Sequence, residues 1–419
     1  MAISLGTDAK AEWRAHWPVV LAAGAGYAAS TIVTYSSSLF IQPMQAEFGW
    51  SRAQIMSGHS VSAVAGALCA PFTGYFVDRL GPRRLGIVAV IALCIATALL
   101  GLTGASIWMW RAMWLPVAFA IVLIQPSVWT AAVTSLFAAG RGLALAAMLC
   151  GGSIASIVTP PLTYWLIEQF GWRLAWVGLV AFWAVIALPL IVLFFTSAKD
   201  RQRTGQSPQP AVSELPRASV WQSGILSWRY VQILVGGVLI AGIVVTLAVS
   251  VVPILSSRGI GRAEAAGLAS LIGVSAIIGR LGIGTLLDRI HGRYLAALCV
   301  ALPIVGISIL IALPGSIGAA AVAVLILGFS FGAELDIIAY LTSRYFPTEN
   351  FGFLFGTIGG CLGLAAGNGP VLLSAVFDST GSYVTALWGA IPICAVAALL
   401  FLSLGPYPTS LPSSADTIP

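Results

Sequence analysis

The strongest constraint on this chain is a succession of twelve apolar runs, at 17–40, 52–76, 85–104, 108–138, 142–167, 173–196, 229–254, 263–286, 294–313, 317–343, 352–377 and 383–404. Each is close to the ~20 residues that a bilayer core demands, whereas a barrel strand needs only about ten alternating residues. Runs of this length predict an all-α membrane protein with twelve transmembrane helices. Composition agrees, with 59% hydrophobic and 8% charged residues and a mean hydropathy of +0.97, against about 25% charged in an ordinary soluble domain. The first run exceeds the 7–15 residues of a signal-peptide core and is expected to stay as a helix.

The runs fall into two sets of six because the chain is a duplication. Gly74, Asp78, Arg79 and Arg83 stand 210 positions before Gly284, Asp288, Arg289 and Arg293, and Ser51-Arg52-Ala53-Gln54 recurs as Gly261-Arg262-Ala263-Glu264 at the same offset. The expected domains are a bundle at 1–196, a cytoplasmic linker at 197–228 around Ser207-Pro208-Gln209-Pro210, a second bundle at 229–404 and a cytoplasmic tail at 405–419. Two pseudo-symmetric six-helix bundles related by an axis along the membrane normal are a transporter architecture.

The net charge of +6 invites a nucleic-acid reading, which the distribution of cations removes. With the amino terminus inside, fourteen of the twenty Lys and Arg lie on the cytoplasmic side, Arg52, Arg111, Arg173, Arg258 and Arg262 lie outside, and Arg280 lies in the membrane. That is the positive-inside bias of a multi-pass inner-membrane protein with both termini cytoplasmic. The six cysteines all fall inside apolar runs without metal-type spacing, read as small core residues, and imply no cofactor.

Against this background each polar residue inside a run is costly and becomes a candidate. Arg280 starts roughly 12 Å inside the boundary set by Asp288, eight residues later. The tenth run holds Glu334 and Asp336, with Asp336, Tyr340 and Arg344 on one helical face and Glu334 turned about 200° away. Tyr35 follows in the first run, beside Ser36-Ser37-Ser38, and Asn368 in the eleventh, between two glycines. His59 in the second run is either a neutral histidine bonded to a neighbouring helix or a titrating, substrate-contacting group near the outer mouth. Gln125-Pro126 predicts a bend, and Gly151-Gly152-Ser153 a close helix approach.

The loop Gly74…Asp78-Arg79-Leu80-Gly81-Pro82-Arg83-Arg84 closely resembles the signature between the second and third helices of the major facilitator superfamily, with Phe76 where leucine is more usual. The resemblance implies gating roles for Asp78, Arg79 and Arg83, and for Asp288 and Arg289 in the second copy. An Asp78 carboxylate could face the positive amino end of the helix near Gly352. A narrower likeness is to the monocarboxylate transporters and the oxalate/formate exchangers. It rests on Gly279-Arg280 with Gly284 and Asp288, and on the outer segment Glu47-Phe48-Gly49-Trp50-Ser51-Arg52. In that branch the arginine receives a substrate carboxylate. The aspartate that monocarboxylate transporters place one turn before it is Ala276 here, their first-helix lysine matches Tyr35, and the exchanger's eleventh-helix lysine has no counterpart.

The expectation is a non-enzymatic, monomeric secondary transporter of a small organic carboxylate. Arg280 is its anchor, Tyr35, Asn368, Tyr340 and His59 are further substrate contacts, and Glu334 or Asp336 couples protons. One membrane cation favours a monoanion over a dianion. Three alternatives stay open: Arg280 only ties the eighth helix to the tenth, the chain is a proton-coupled exporter of drugs or neutral metabolites, or it is an organic-anion exchanger.

Overall fold

In hydrocarbon no water bonds the backbone, so every N–H and C=O must be satisfied within the chain, and a spanning segment of this composition becomes a helix. The structure, a computed structural model, describes residues 7–137, 140–197, 227–287, 289–346 and 351–407, with the backbone alone at 7–9, 70–80, 127 and 351–353. Its described residues are helical throughout, without strands. The elements are α1 (Thr7–Ser30), α2 (Ile32–Ser36), α3 (Ile41–Phe48), α4 (Arg52–Leu80), α5 (Pro82–Leu99), α6 (Ile107–Leu123), α7 (Pro126–Leu136), α8 (Arg141–Phe194), α9 (Trp228–Ser257), α10 (Arg262–Leu286), α11 (Gly292–Ala312), α12 (Ile317–Tyr345), α13 (Phe351–Thr380) and α14 (Val384–Leu402).

Among the described residues every expected run is mostly helical. Among the described residues nine segments are long and apolar enough to span a membrane, or ten when the bent pair Lys10–Ser30 and Ile32–Phe48 counts as one. The second run is covered by α4, and α8, which counts as one of the nine, covers the fifth and sixth runs together. A non-helical Gly171 (φ 75°, ψ 161°) divides α8, a backbone region open almost only to glycine.

The first run is the main departure from the expected outline. Instead of one helix it is α1, α2, a 3₁₀ turn over Ser37–Phe40 and α3, with a 47° bend. The bend falls at Thr31, where Ser30 Oγ and Thr31 Oγ1 donate back to the Tyr27 and Ala28 carbonyls at 2.6 and 2.9 Å; Ser36 Oγ does the same to the Ile32 carbonyl at 2.8 Å just before the 3₁₀ turn, and such bonds compete with the regular ladder. The expected bend at Gln125-Pro126 is the gap between α6 and α7, because Pro126 has no N–H to continue the ladder.

By compactness the chain divides into two units, Met1–Pro210 with Arg262–Gly273, and Ala211–Gly261 with Val274–Pro419. The linker expected at 197–228 and the tail at 405–419 lie outside the described residues except for 197, 227, 228 and 405–407. In the first unit α1 runs against α8: a Cβ on Gly151 would lie 2.0 Å from the Gly24 carbonyl oxygen, so this crossing needs a residue without one. Its core is aromatic, with Trp110, Trp114, Trp129 and Trp176 fully buried and Phe40 stacked on Trp176 at 3.7 Å. The core of the second unit is aliphatic, built from Ile233, Ile240, Ile283, Leu295, Ile337, Ile338 and Leu362, and closed by Tyr230, Phe346 and Phe401.

Candidate functional site

Arg280 and Asp336 meet within the second unit because α10 and α12 touch backbone to backbone beside them. A Cβ on Gly279 would lie 2.3 Å from the Phe329 carbonyl oxygen, and one on Gly332 would lie 2.0 Å from that of Ala276. The two glycines therefore set the crossing, one residue before Arg280 and one turn before Asp336. Across it Arg280 Nη1 stands 3.3 Å from Asp336 Oδ1, with side chains 10% and 26% exposed. Removing either partner of so secluded a pair strands the other charge.

The pair leaves capacity unused. A guanidinium carries five N–H donors in a planar fork, and Asp336 accepts from one nitrogen. Arg280 Nε is buried without a hydrogen-bond partner among the described residues. A buried donor left unmade costs about 1–3 kcal/mol, so this edge of the fork favours an acceptor.

The other candidates have separate places. Tyr340 lies one turn beyond Asp336 and donates its hydroxyl to the Leu287 carbonyl at 3.2 Å, bracing the last turns of α12 against the residue that follows α10. Asn368 is half-buried and donates Nδ2 to the Leu364 carbonyl of its own helix at 2.8 Å, which leaves its carbonyl oxygen and its second N–H to offer. Glu334 is buried on the far face of α12 from Asp336, beside Ile240, Cys299, Val300 and Phe401. Of the two acids on α12, Asp336 is therefore the one that pairs with Arg280.

Tyr35 and His59 belong to the first unit. Tyr35 is buried on α2, and His59 on α4 is hydrogen-bonded through Nε2 to Ser37 Oγ at 2.6 Å, with the Trp114 ring 4.9 Å away. His59 thus tethers α4 to the break in the first run, a bond between helices that leaves its Nδ1 as the remaining polar atom. Trp129, an aromatic that could have lined a cavity, is fully buried against Phe195.

Of the residues expected to gate, Arg83 donates through Nη2 to the Val192 carbonyl at 2.7 Å, which fixes the start of α5 to the end of α8. Arg289 is exposed on the turn after α10. Asp288 and the side chains of Asp78 and Arg79 lie outside what is described.

Sequence reasoning missed one network. Glu47, at the end of α3, takes Arg173 Nη2 on Oε1 at 2.6 Å, and both Arg173 Nη1 (2.6 Å) and Trp172 Nε1 (2.7 Å) on Oε2. The guanidinium also lies 4.4 Å over the Trp172 ring. The signal was present in the charge placement, which puts Arg173 and the Glu47 segment on the same outer side.

A family model described as Major Facilitator Superfamily matches residues 23–367. The chain is 26% identical over 247 residues to an uncharacterized MFS-type transporter of Yersinia pestis, covering 59% of each protein. It is 25% identical over 252 residues to the MFS transporter asaE of Aspergillus flavus, covering 58% of this chain and 53% of that one. The matched stretch thus spans somewhat over half the length of these relatives. A D-xylose-proton symporter shares the fold with a TM-score of 0.71 at 14% identity, over 93% of this chain and 98% of that one. The nucleoside transporter NupG does so with a TM-score of 0.70 at 13% identity, over 92% and 98%.

Proposed function

Because the chain belongs to the major facilitator superfamily, we propose that this membrane transporter carries a small organic monocarboxylate by alternating access in a cell inner membrane, in symport with a proton. The observation that carries the reading is the half-used guanidinium of Arg280, paired through Nη1 with Asp336 at 3.3 Å while its buried Nε has no partner. A carboxylate arriving on the Nε edge makes two parallel charge-assisted hydrogen bonds, a geometry that arginine offers and lysine does not.

Charge balance adds the proton. Arg280 and Asp336 neutralise one another when the site is empty, so a bound anion leaves one uncompensated negative charge at membrane depth, and such a charge resists passage. One proton taken up with each anion returns the bundle to the charge it carries when empty. Asp78, Arg79, Arg83, Asp288 and Arg289 are assigned to gating by their likeness to the family signature, and Tyr35, His59, Asn368 and Tyr340 to shaping the path.

The test is uptake of labelled acetate, lactate and benzoate into proteoliposomes under an imposed pH gradient. Uptake that rises with the gradient, disappears in Arg280→Ala and falls at least about tenfold in Arg280→Lys is the expected result. Undiminished transport by Arg280→Ala overturns the anchor, and indifference to the gradient removes the proton. The resident pair also suits a second reading, a proton-driven exporter of drugs or neutral metabolites in which Arg280 and Asp336 form a relay. Equal competition by methyl esters of these acids favours that reading.

A further inference from the structure

The two acids of α12 stand in opposite surroundings. Asp336 faces a cation. Glu334, two residues earlier, is 7% exposed and turned into a space of about 10 Å³ between α9, α11, α12 and α14, room for about one water molecule. From α9 it meets Ile240, from α11 Cys299 and Val300, from its own helix Ser330 and Ile338, and from α14 Phe401. The one titratable neighbour there is the Cys299 thiol, and Ser330 Oγ points back to the Ile326 carbonyl at 3.5 Å. Among the described residues Glu334 has no hydrogen bond and no ion pair. Arg280 is engaged with the opposite face of α12.

A carboxylate without a cation or donor in apolar packing is among the costliest groups a protein can bury, and a neutral carboxylic acid costs far less. We propose that Glu334 holds the transported proton at a site separate from the anion site, and that Asp336 is the resident counter-ion of Arg280 and not the proton carrier. This rests on the symport reading above. The step balances simply: the Glu334 carboxylate forms an O–H bond with a proton delivered by water on one side of the membrane, and that bond breaks to water on the other. Coupling follows from geometry, because both acids ride on α12. A shift of α12 that opens the Nε edge of Arg280 to a substrate carboxylate also reshapes the packing around Glu334 and admits the water that exchanges its proton.

The experiment compares two modes of flux with the same labelled acids in proteoliposomes. Glu334→Gln should lose at least tenfold of the accumulation driven by a pH gradient while still exchanging internal for external label at equal pH, a mode that needs no net proton movement. Glu334→Met fits the apolar lining, guards against misfolding, and should show the same split. Asp336→Asn should keep a gradient response in whatever flux it retains. Gradient-driven accumulation by Glu334→Gln at the wild-type level overturns the assignment while leaving the carboxylate reading intact. Absence of gradient-driven uptake by the wild type overturns the symport reading and this inference with it. As an independent readout, infrared spectra should contain a protonated-carboxyl band in the wild type that Glu334→Gln and Glu334→Met both lack, and its persistence in them overturns the proposal.

Discussion

Replacing Gly332 by alanine tests the crossing on which the candidate site depends. The added methyl would sit 2.0 Å from the Ala276 carbonyl oxygen, and the neighbouring atoms are backbone and cannot swing aside. Ordinary contact begins near 3.4 Å, so α10 and α12 must part by about 1.4 Å at this point. A displacement of that size, carried one turn along α12, takes the 3.3 Å contact between Arg280 and Asp336 beyond ion-pair range. Two energies oppose each other. Alanine gains up to about 1 kcal/mol over glycine in a helix interior, whereas overpacking typically costs about 1–3 kcal/mol, and loosening a secluded pair adds to that cost. The overpacking wins, so Gly332→Ala should melt several degrees lower in detergent and lose most transport. Gly282→Ala is the control, on the same helix as Arg280 but with nothing within 4 Å of its new methyl, and it should melt no lower than the wild type. Equal stability and equal uptake for both variants refute the backbone contact and the reasoning built on it.

Gly171→Ala should lower stability by about 1–3 kcal/mol, seen in a thermal melt, because its φ of 75° with ψ of 161° suits glycine alone although the surrounding space is open. Glu47→Gln should cost about 1 kcal/mol or less, since the ion pair is 43% and 39% exposed. Arg173→Ala should cost more in the same melt, because it also gives up the Trp172 ring and the Thr103 carbonyl. At the N-cap of α11, burial and then the guanidiniums of Arg293 and Arg344 hold the His291 pKa below its ordinary value. The folded protein therefore resists taking that proton, and stability should be full above the ordinary histidine range near about 6.5 and fall as pH drops through it. His291→Phe keeps the stack on Tyr407, seen at 3.8 Å, and should flatten that part of the pH–stability curve.

Much of this was legible in the residues alone. Twelve runs of spanning length and a 210-residue offset follow from hydropathy and counting, which need only local information. The same holds for the seclusion of Arg280 and for the opposite faces of Glu334 and Asp336, since helical periodicity carries both. The break at Ser37–Phe40 was not legible, because a serine run is compatible with continuous helix until neighbouring helices decide which bonds it makes.

The choice between the two acids shows the boundary most clearly. Sequence determined that a buried guanidinium and two buried carboxyls had to be accommodated, for their types and depths follow from position along a helix. Only tertiary structure decided that Asp336 takes Arg280 while Glu334 is sealed among Ile240, Cys299, Val300 and Phe401. The reason is steric: partner choice depends on the rotation and separation of two helices. Those are set where Gly279 and Gly332 let backbones from distant parts of the chain meet, a contact that no single run encodes.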